Sequence, residues 1–171
     1  VYGLAARADN DEAVAKIYVA KGRPSGHPLI LHISDMSELN RYAINIPREA
    51  LTLTQQCWPG PLTLLLNKSA EVSHLVTGGR DTVAIRVPAN DCALSIIDRC
   101  GHAVAAPSAN VFGHVSPSTA QHVYDDLGDR VDLIVDDGNC SIGVESTIID
   151  FTASHPQLLR PGGFPVEDIE S

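Results

Sequence analysis

Residues 82–106, TVAIRVPANDCALSIIDRCGHAVAA, contain the pattern that decides the fold. Residues 82–87 are mostly apolar and partly β-branched, which predicts a strand. Residues 91–100 are interpreted as a helix that ends at Gly101, because glycine is common just after a helix. Residues 103–106 form another short apolar run. A strand, a helix and a second strand in succession indicate an α/β domain.

The same alternation extends in both directions along the chain. Asp9 and Glu12 form a capping-box pattern ahead of a helix that reaches Lys21 and stops at Gly22 and Pro24. A further helix is predicted over residues 47–57, and another opens at Ser116-Pro117 and closes at Gly128. The remaining predicted strands are residues 28–33, 62–66, 132–135, 146–151 and 157–159.

Composition limits the classes of function. The chain has 171 residues, with 12 Lys+Arg against 21 Asp+Glu and a net charge of −9. This length fits one globular domain. So acidic a chain is a poor candidate for binding nucleic acid or anionic membranes over its whole surface. We therefore expect weak or no direct nucleic-acid binding, while a local basic pocket stays compatible with the charge.

Several site classes lack their sequence signals. The four cysteines contain no C-x-x-C pair, which argues against a zinc site, and they are too few for a disulfide scaffold. We expect reduced thiols, no metal-ligand cluster and no membrane association, because no apolar run approaches the ~20 residues that span a bilayer. The usual dinucleotide, P-loop, nucleophile-elbow and zinc-protease motifs are missing.

Two segments could bind a phosphate-bearing ligand. Lys21-Gly22-Arg23-Pro24 places a point charge and a planar guanidinium fork on a stiff corner. The alternative is a helix C-terminus, where cations are favoured by the helix dipole. Residues 106–110, APSAN, put small residues and polar side chains after a strand, where open α/β sheets bind ligands. The alternative there is a plain turn.

Polar side chains also interrupt apolar strands. Arg86 lies within residues 82–87, and a buried cation needs an anionic partner, either a substrate carboxylate or an internal salt bridge. His32 interrupts residues 28–33, where a core histidine with a satisfied hydrogen bond is the alternative to a ligand contact. Residues 144–148 and Arg160 offer a further anion pocket, or decoration of an edge strand.

Eight short segments match, in order, the motifs of one family. They are YGLAA at 2–6, AKGRPSGHPLILHI at 20–33, WPGPLTLLL at 58–66, GGRDTVAIRVP at 78–88, APSAN at 106–110, GHVSP at 113–117, GVESTIID at 143–150 and LRPGG at 159–163. On these motifs the chain resembles the YrdC-like family, the threonylcarbamoyl-AMP synthases. The K-x-R plus S-x-N signature of that family corresponds to Lys21, Arg23, Ser108 and Asn110.

The resemblance implies a twisted mixed sheet with flanking helices around a deep, basic cavity. It also implies an enzyme that converts L-threonine, bicarbonate and ATP into L-threonylcarbamoyl-adenylate and pyrophosphate. Mg²⁺ would enter with ATP and be held mainly by the nucleotide phosphates. A partner complex would then move the threonylcarbamoyl group onto tRNA, which places the activity in the cytoplasm.

The resemblance also assigns the site residues. Catalytic roles fall to Lys21, Arg23, Ser108 and Asn110. ATP binding is implied for Lys21, Arg23, His27, Thr82, Ser108, Asn110, Ser116 and Arg160. The threonine pocket is implied for His32, Arg86, Ala106 and Ser146. Such a site needs no enzyme nucleophile, because a carbamate oxygen attacks the α-phosphate while basic groups position it and stabilise charge.

The chain departs from the family pattern at a few places. His27 stands where the family often has Asn, and Phe112 where it often has Ser. The match begins within a motif at Val1. In the family a strand and a P-T-E-T segment stand just before the Y-G-L. We therefore expect residues 1–171 to be a YrdC-like domain that lacks its N-terminal strand and one threonine contact. A C-terminal accessory domain would lie outside this sequence.

Two other functions stay open at this point. One is the carbamoyl-adenylate-forming module of a hydrogenase-maturation carbamoyltransferase. The other is a non-catalytic RNA-binding module, against which the charge of −9 argues. Threonine-dependent pyrophosphate release separates a synthase from both.

Overall fold

An eight-stranded mixed sheet forms the centre of the computed structural model, which describes residues 1–165 and 167. The strands are β1 Ala6–Arg7, β2 Ile30–His32, β3 Ala43–Ile44, β4 Leu62–Lys68, β5 Thr82–Arg86, β6 Val104–Ala105, β7 Thr147–Asp150 and β8 Gln157–Arg160. Their order is β1-β6-β2-β5-β4-β7-β8, and β3 pairs with β4. The pairs β2–β5 and β4–β7 are parallel, and the others are antiparallel. The expected α/β class with a twisted mixed sheet is confirmed.

Helices flank this sheet. They are α1 Asp11–Lys21, α2 Leu39–Tyr42, α3 Arg48–Cys57, α4 His74–Thr77, α5 Asp91–Cys100 and α6 Ala120–Leu127, with 3-10 turns at Met36–Glu38 and Gly128–Arg130. The bounds of α5 agree with the prediction, and α3 begins one residue later than predicted. Gly22 ends α1 in the left-handed conformation, at φ 61°, and its N–H reaches the carbonyls of Tyr18 and Val19. Glycine adopts this conformation without steric cost.

The alternation of side chains across each strand separates a core face from an open face. In β5, Val83 and Ile85 are buried, whereas Thr82, Ala84 and Arg86 point the other way. Burying an aliphatic side chain contributes about 1.5–3 kcal/mol, so the buried face anchors the sheet. The core on that face includes Val14, Ile17, Leu29, Leu31, Ile33, Leu62, Leu64, Leu66 and Ile85.

The first residues of the chain pair with a segment about a hundred residues away. In the antiparallel β1–β6 pair, Ala6 lies opposite Ala105. The pairing continues past the strands, since the N–H of Leu4 donates to the carbonyl of Pro107 and the N–H of Ala109 donates to the carbonyl of Tyr2. Residues 2–7 therefore fix the position of the loop that follows β6.

The predicted capping box at the start of α1 is wrong. Asn10 is the N-cap, and its side chain accepts from the N–H of Ala13. Asp9 instead accepts from the guanidinium of Arg7, at 2.7 and 3.0 Å. Asn10 caps as well as aspartate would, so the pattern placed the cap one residue early.

Two predictions in the C-terminal half are also wrong. The last helix does not open at Ser116-Pro117; it begins at Ala120, where the hydroxyl of Thr119 accepts from the N–H of His122. Residues 132–135 form no strand, and the chain there runs irregularly past the sheet. The sequence prediction also omitted the short elements β1, β3, α2 and α4.

The helices of the described residues are short or polar. Within residues 1–165 and 167, none combines the length and the hydropathy needed to cross a membrane.

Candidate active site

The open face of the sheet is the floor of a cavity of about 1560 Å³. Its cationic side chains outnumber its carboxylates. The cations are Lys16, Arg23, Arg80, Arg86, Arg130 and Arg160, and the carboxylates are Glu12, Asp132, Asp137 and Glu145. This excess favours anionic ligands, in a chain whose total charge is negative.

Most of the predicted site residues meet in this cavity. Those that line it are Arg23, His32, Thr82, Arg86, Ala106, Ser108, Ser146 and Arg160. Four others, Lys21, His27, Asn110 and Ser116, are not among its lining residues. Two of them contact residues that are, since Lys21 donates to the carbonyl of Ser108 and Ser116 donates to Glu145. The structure thus brings together residues from five separated segments of the sequence.

Arg86 is a largely desolvated cation without an anionic partner in the described part of the chain. Its Nε donates to the carbonyl of Gly60 at 2.8 Å, and no described carboxylate lies within salt-bridge distance. The internal salt bridge considered as an alternative is therefore not formed among these residues. Burial, and secondarily the charge of Arg160, lowers the pKa of Arg86 to about 10. The guanidinium stays charged at neutral pH, and an anionic ligand would oppose both effects by stabilising the charged form.

His32 stands beside Arg86 as a neutral hydrogen-bonding group. Its Nδ1 donates to the carbonyl of Ile30 at 3.1 Å, which leaves Nε2 as an acceptor. Burial, and secondarily the charge of Arg86, lowers the pKa of His32 to about 3. Both interpretations of His32 are partly met, because the ring is satisfied on one side and lines the cavity on the other.

Arg160 organises the opposite wall. Its Nε and Nη2 donate to the carbonyl of Ser146 at 3.0 and 2.8 Å, and Nη2 also reaches the Ser146 hydroxyl at 3.2 Å. That hydroxyl is shared with Thr63, at 2.7 Å. Ser146 is buried, so its side chain is held in one place by two neighbours. Thr63 lies within the WPGPLTLLL motif, yet nothing in its sequence context marked it as part of the site.

The turn after Arg160 requires glycine. A Cβ on Gly162 would lie 2.4 Å from the carbonyl oxygen of Glu145 and 2.5 Å from the carbonyl carbon of Ser146. Such distances are far below van der Waals contact, so only glycine lets the two backbones approach this closely. This approach places Arg160 over Ser146.

Glu145 adds a carboxylate to the cavity wall. It accepts a hydrogen bond from the hydroxyl of Ser116, which lowers the pKa of the Glu145 carboxyl, as does the charge of Arg160 to a smaller extent. Ser116, predicted as an ATP contact, here positions this carboxylate. Glu145 belongs to the GVESTIID motif but is absent from the predicted set, because a single acid in an acidic chain carries no distinguishing signal.

Lys21 is more deeply buried than a phosphate clamp requires. It is 1% exposed, and its Nζ donates to the carbonyls of Ser108 and Asn110, both at 2.5 Å. Burial, and secondarily the nearby charge of Arg23, lowers its pKa to about 8. In this structure the Lys21 ammonium ties the end of α1 to the loop after β6.

Asn110 strengthens the same loop from within. Its Nδ2 donates to the carbonyls of Val111 and His114, at 2.8 and 2.9 Å. Its Oδ1 is buried without a hydrogen-bond partner among the described residues. An unsatisfied buried acceptor costs free energy, so this loop carries a local cost that its other hydrogen bonds offset.

Arg23 leaves the turn after α1 and lines the cavity. The turn is braced from outside, because the hydroxyl of Tyr18 donates to the carbonyls of His27 and Leu75, and Nη1 of Arg80 donates to the carbonyl of Gly26 at 2.7 Å. Arg80 also lines the cavity and is missing from the predicted set, although it lies in the GGRDTVAIRVP motif.

Comparison with known proteins extends these observations. The Sua5_yciO_yrdC family model, described as telomere recombination, matches residues 1–162. The threonylcarbamoyl-AMP synthase of Pyrococcus abyssi is 51% identical over 170 residues, which cover 99% of this chain and 50% of that protein. The enzyme of the same name from Bacillus subtilis is 51% identical over 172 residues, with 100% and 50% covered. The chain therefore spans about half the length of these curated relatives.

Comparison of the fold with solved structures identifies relatives of the same kind. The crystal structure of P. abyssi Sua5 complexed with L-threonine superposes with a TM-score of 0.98 and 50% sequence identity, over 99% of this chain and 49–50% of such Sua5 chains. The family match, the fold and the basic cavity agree, and this chain belongs to the Sua5/YciO/YrdC family, as its sequence motifs predict.

Proposed function

We propose that this chain forms L-threonylcarbamoyl-adenylate from L-threonine, bicarbonate and ATP, with release of pyrophosphate. The observation that carries the proposal is the pairing of Arg86, a largely desolvated cation without a described anionic partner, with His32 in a cavity lined by further arginines. Support also comes from relatives named threonylcarbamoyl-AMP synthase at 51% identity and from a structural neighbour complexed with L-threonine.

In the proposed reaction the amino acid binds on the floor of the cavity. The guanidinium of Arg86 holds the substrate carboxylate, since a fork of N–H donors matches two carboxylate oxygens. Nε2 of His32 accepts a hydrogen bond from the same ligand. Ala106 and Ser146 complete the pocket, with the Ser146 hydroxyl fixed by Arg160 and Thr63.

The chemistry then needs no covalent enzyme intermediate. Bicarbonate takes up a proton and loses water to give CO₂, and the neutral amine of threonine adds to CO₂ and releases a proton, which forms a carbamate. A carbamate oxygen attacks the α-phosphorus of ATP, the bond to the β-phosphate oxygen breaks, and pyrophosphate leaves. Arg23 and Arg160 stabilise the charge that develops on the phosphates.

ATP is proposed to lie between the α1 turn and the loop after β6. Arg23, Thr82, Ser108 and Arg160 line the same cavity, and Lys21 and Asn110 hold that loop. Mg²⁺ would enter with ATP, where it neutralises phosphate charge. The described residues contain no group of three or more His, Cys, Asp and Glu side chains suited to a metal, so the phosphates would be its main ligands.

The product would pass to a transferase complex that modifies tRNA, and we propose a cytoplasmic location for the reaction. Cys92, Cys100 and Cys140 are free thiols, which agrees with a reducing compartment.

The test is pyrophosphate release with ATP, bicarbonate and each amino acid in turn. Threonine should stimulate release far more than serine, valine or no amino acid. Release that needs a carbamoyl donor such as carbamoyl phosphate in place of any amino acid would instead support a carbamoyl-adenylate-forming module. No release together with RNA binding would support the RNA-binding alternative. Either result would overturn the proposal.

A further inference from the structure

Several neighbours hold the side chain of Arg23 in one orientation. Its Nε and Nη2 donate to the carbonyls of His27 and Pro28, at 3.3 and 2.9 Å. Its Nη1 has no hydrogen-bond partner within the described residues, while the side chain lines the cavity. The Nη1 group of Arg23 therefore has N–H donors available at the cavity wall, while Nε and Nη2 of the same guanidinium are held by backbone carbonyls.

The aromatic ring of Phe112 packs against the guanidinium of Arg23. The guanidinium carbon of Arg23 lies 5.5 Å from the centroid of the Phe112 ring, within the range of a cation–π interaction. The His27 ring meets the same aromatic ring edge-on, with centroids 5.2 Å apart and planes at 77°. A backbone hydrogen bond fixes the position of Phe112, since its N–H donates to the carbonyl of Lys21 at 2.8 Å.

The exposure of Phe112 argues against a simple core role. The side chain is 39% exposed and belongs to neither buried hydrophobic cluster. It joins two segments distant in sequence, namely the turn after α1 and the loop after β6. An exposed aromatic ring that packs on a cation and a histidine has more to do with orienting them than with excluding water.

We propose that Phe112 is a positioning residue that holds the guanidinium of Arg23 in the orientation that receives ATP, with His27 fixing the angle of the Phe112 ring. This inference rests on the proposed function, in which Arg23 contacts the phosphates. A pre-oriented guanidinium loses less conformational freedom on binding, so the benefit appears in affinity. His27 then acts through Phe112 instead of contacting ATP directly.

ATP affinity of point variants tests the proposal, measured by calorimetry on the full chain. A cation–π contact of this exposure corresponds to about a 2- to 30-fold change in affinity. Phe112→Leu should weaken ATP binding by that factor, and Phe112→Tyr should restore it. Threonine affinity should not change in either variant. Val115→Ala is the matched control, because Val115 lies in the same loop, is 91% exposed and lines no part of the site.

A double-mutant cycle distinguishes positioning from a general effect on the loop. In an Arg23→Ala background, Phe112→Leu should cause no further loss of ATP affinity, because its effect passes through the missing guanidinium. Additive losses would overturn the proposal, as would an equal loss of threonine affinity.

A measurement without ligand separates this inference from the proposed function. The ring current of Phe112 should displace the NMR signals of the Arg23 side-chain protons. This displacement should vanish in Phe112→Leu and persist in Phe112→Tyr. If the displacement is present and ATP binds equally well to wild type and Phe112→Leu, the positioning role is wrong while the proposed function stands. If wild type binds no ATP, the proposed function fails, and the positioning role fails with it.

Discussion

His32 and Arg86 lie side by side on the parallel strands β2 and β5, with their Cα positions in direct register. Because both point to the open face of the sheet, one small ligand can reach both. They offer opposite chemistry, since Arg86 supplies a cation with unused donors and His32 supplies a neutral ring nitrogen that accepts. Such a pair suits a ligand that carries a carboxylate beside a hydrogen-bond donor.

The geometry of Arg86 predicts a loss of threonine affinity in Arg86→Lys. Lysine keeps the charge but lacks the planar fork, so threonine affinity should fall roughly tenfold or more, by the strength of a charge-assisted hydrogen bond. ATP affinity should change by less than about twofold. Calorimetry with each ligand checks this, with Arg99→Lys on the exposed side of α5 as control. An equal loss for ATP would show that Arg86 does not select the carboxylate.

The burial of Lys21 predicts a structural effect for Lys21→Met. Methionine fills the volume but leaves the carbonyls of Ser108 and Asn110 without their donor, so the free energy of unfolding should fall by roughly 1–3 kcal/mol. ATP affinity should fall as well, because the loop is released. Lys16→Met, on the exposed side of α1, should change the free energy of unfolding little. If Lys21→Met unfolds like wild type yet loses ATP binding, Lys21 contacts the nucleotide directly.

The neutral state of His32 predicts acid sensitivity. The unfolded chain protonates this histidine near its ordinary pKa of 6.5, whereas the folded chain resists protonation down to about 3. The stabilisation is therefore fully present above the unfolded pKa and is lost as the pH falls from about 6.5 towards 3. Between pH 7 and 5 this histidine should remove up to about 2 kcal/mol from the free energy of unfolding.

Urea unfolding across that pH range measures the effect of His32. His32→Gln, which cannot protonate, should show a shallower decline than wild type, while His155→Gln at an exposed position should follow wild type. Parallel profiles for wild type and His32→Gln would contradict the prediction.

The close approach at Gly162 predicts a costly alanine. A Cβ there would lie 2.4 Å from the carbonyl oxygen of Glu145, so Gly162→Ala must displace the backbone that carries Ser146 and Arg160. We expect a loss of roughly 2 kcal/mol or more in the free energy of unfolding and weaker ATP binding. Gly26→Ala is the control, because its Cβ would meet nothing within 4 Å. Unchanged thermal unfolding of Gly162→Ala would show that the turn can relax.

Local signals in the sequence located most of the regular structure. The end of α1 at Gly22 and the whole of α5 depend on neighbouring residues, so a linear pattern is sufficient to find them. The predicted helix start at Ser116 is wrong because the hydroxyl of Ser116 bonds to the distant Glu145 and does not cap a helix. Residues 132–135 have the composition of a strand, but strand pairing depends on a neighbour that the sheet does not provide.

The candidate site also depends on contacts between distant residues, which local sequence signals do not predict. Motif resemblance assigns Arg86, Arg160 and Ser146 to one site, and the structure places all three along the same cavity. The resemblance does not reveal that the ammonium of Lys21 turns away to two backbone carbonyls, because carbonyl positions depend on the path of a loop some ninety residues away. For the same reason the sequence does not indicate that Thr63 belongs to the site, whereas the structure shows its hydroxyl hydrogen-bonded to that of Ser146.

The pairing of residues 2–7 with the segment after β6 sets an order of events during synthesis. Ala6 leaves the ribosome about a hundred residues before its partner Ala105, an interval of roughly 5–20 s at ordinary translation rates. During that time β1 has unpaired donors and acceptors, and the loop with Ser108 and Asn110 does not yet exist. Contacts of such long range form late, so the corner proposed to bind ATP should be among the last parts of the nascent chain to become native.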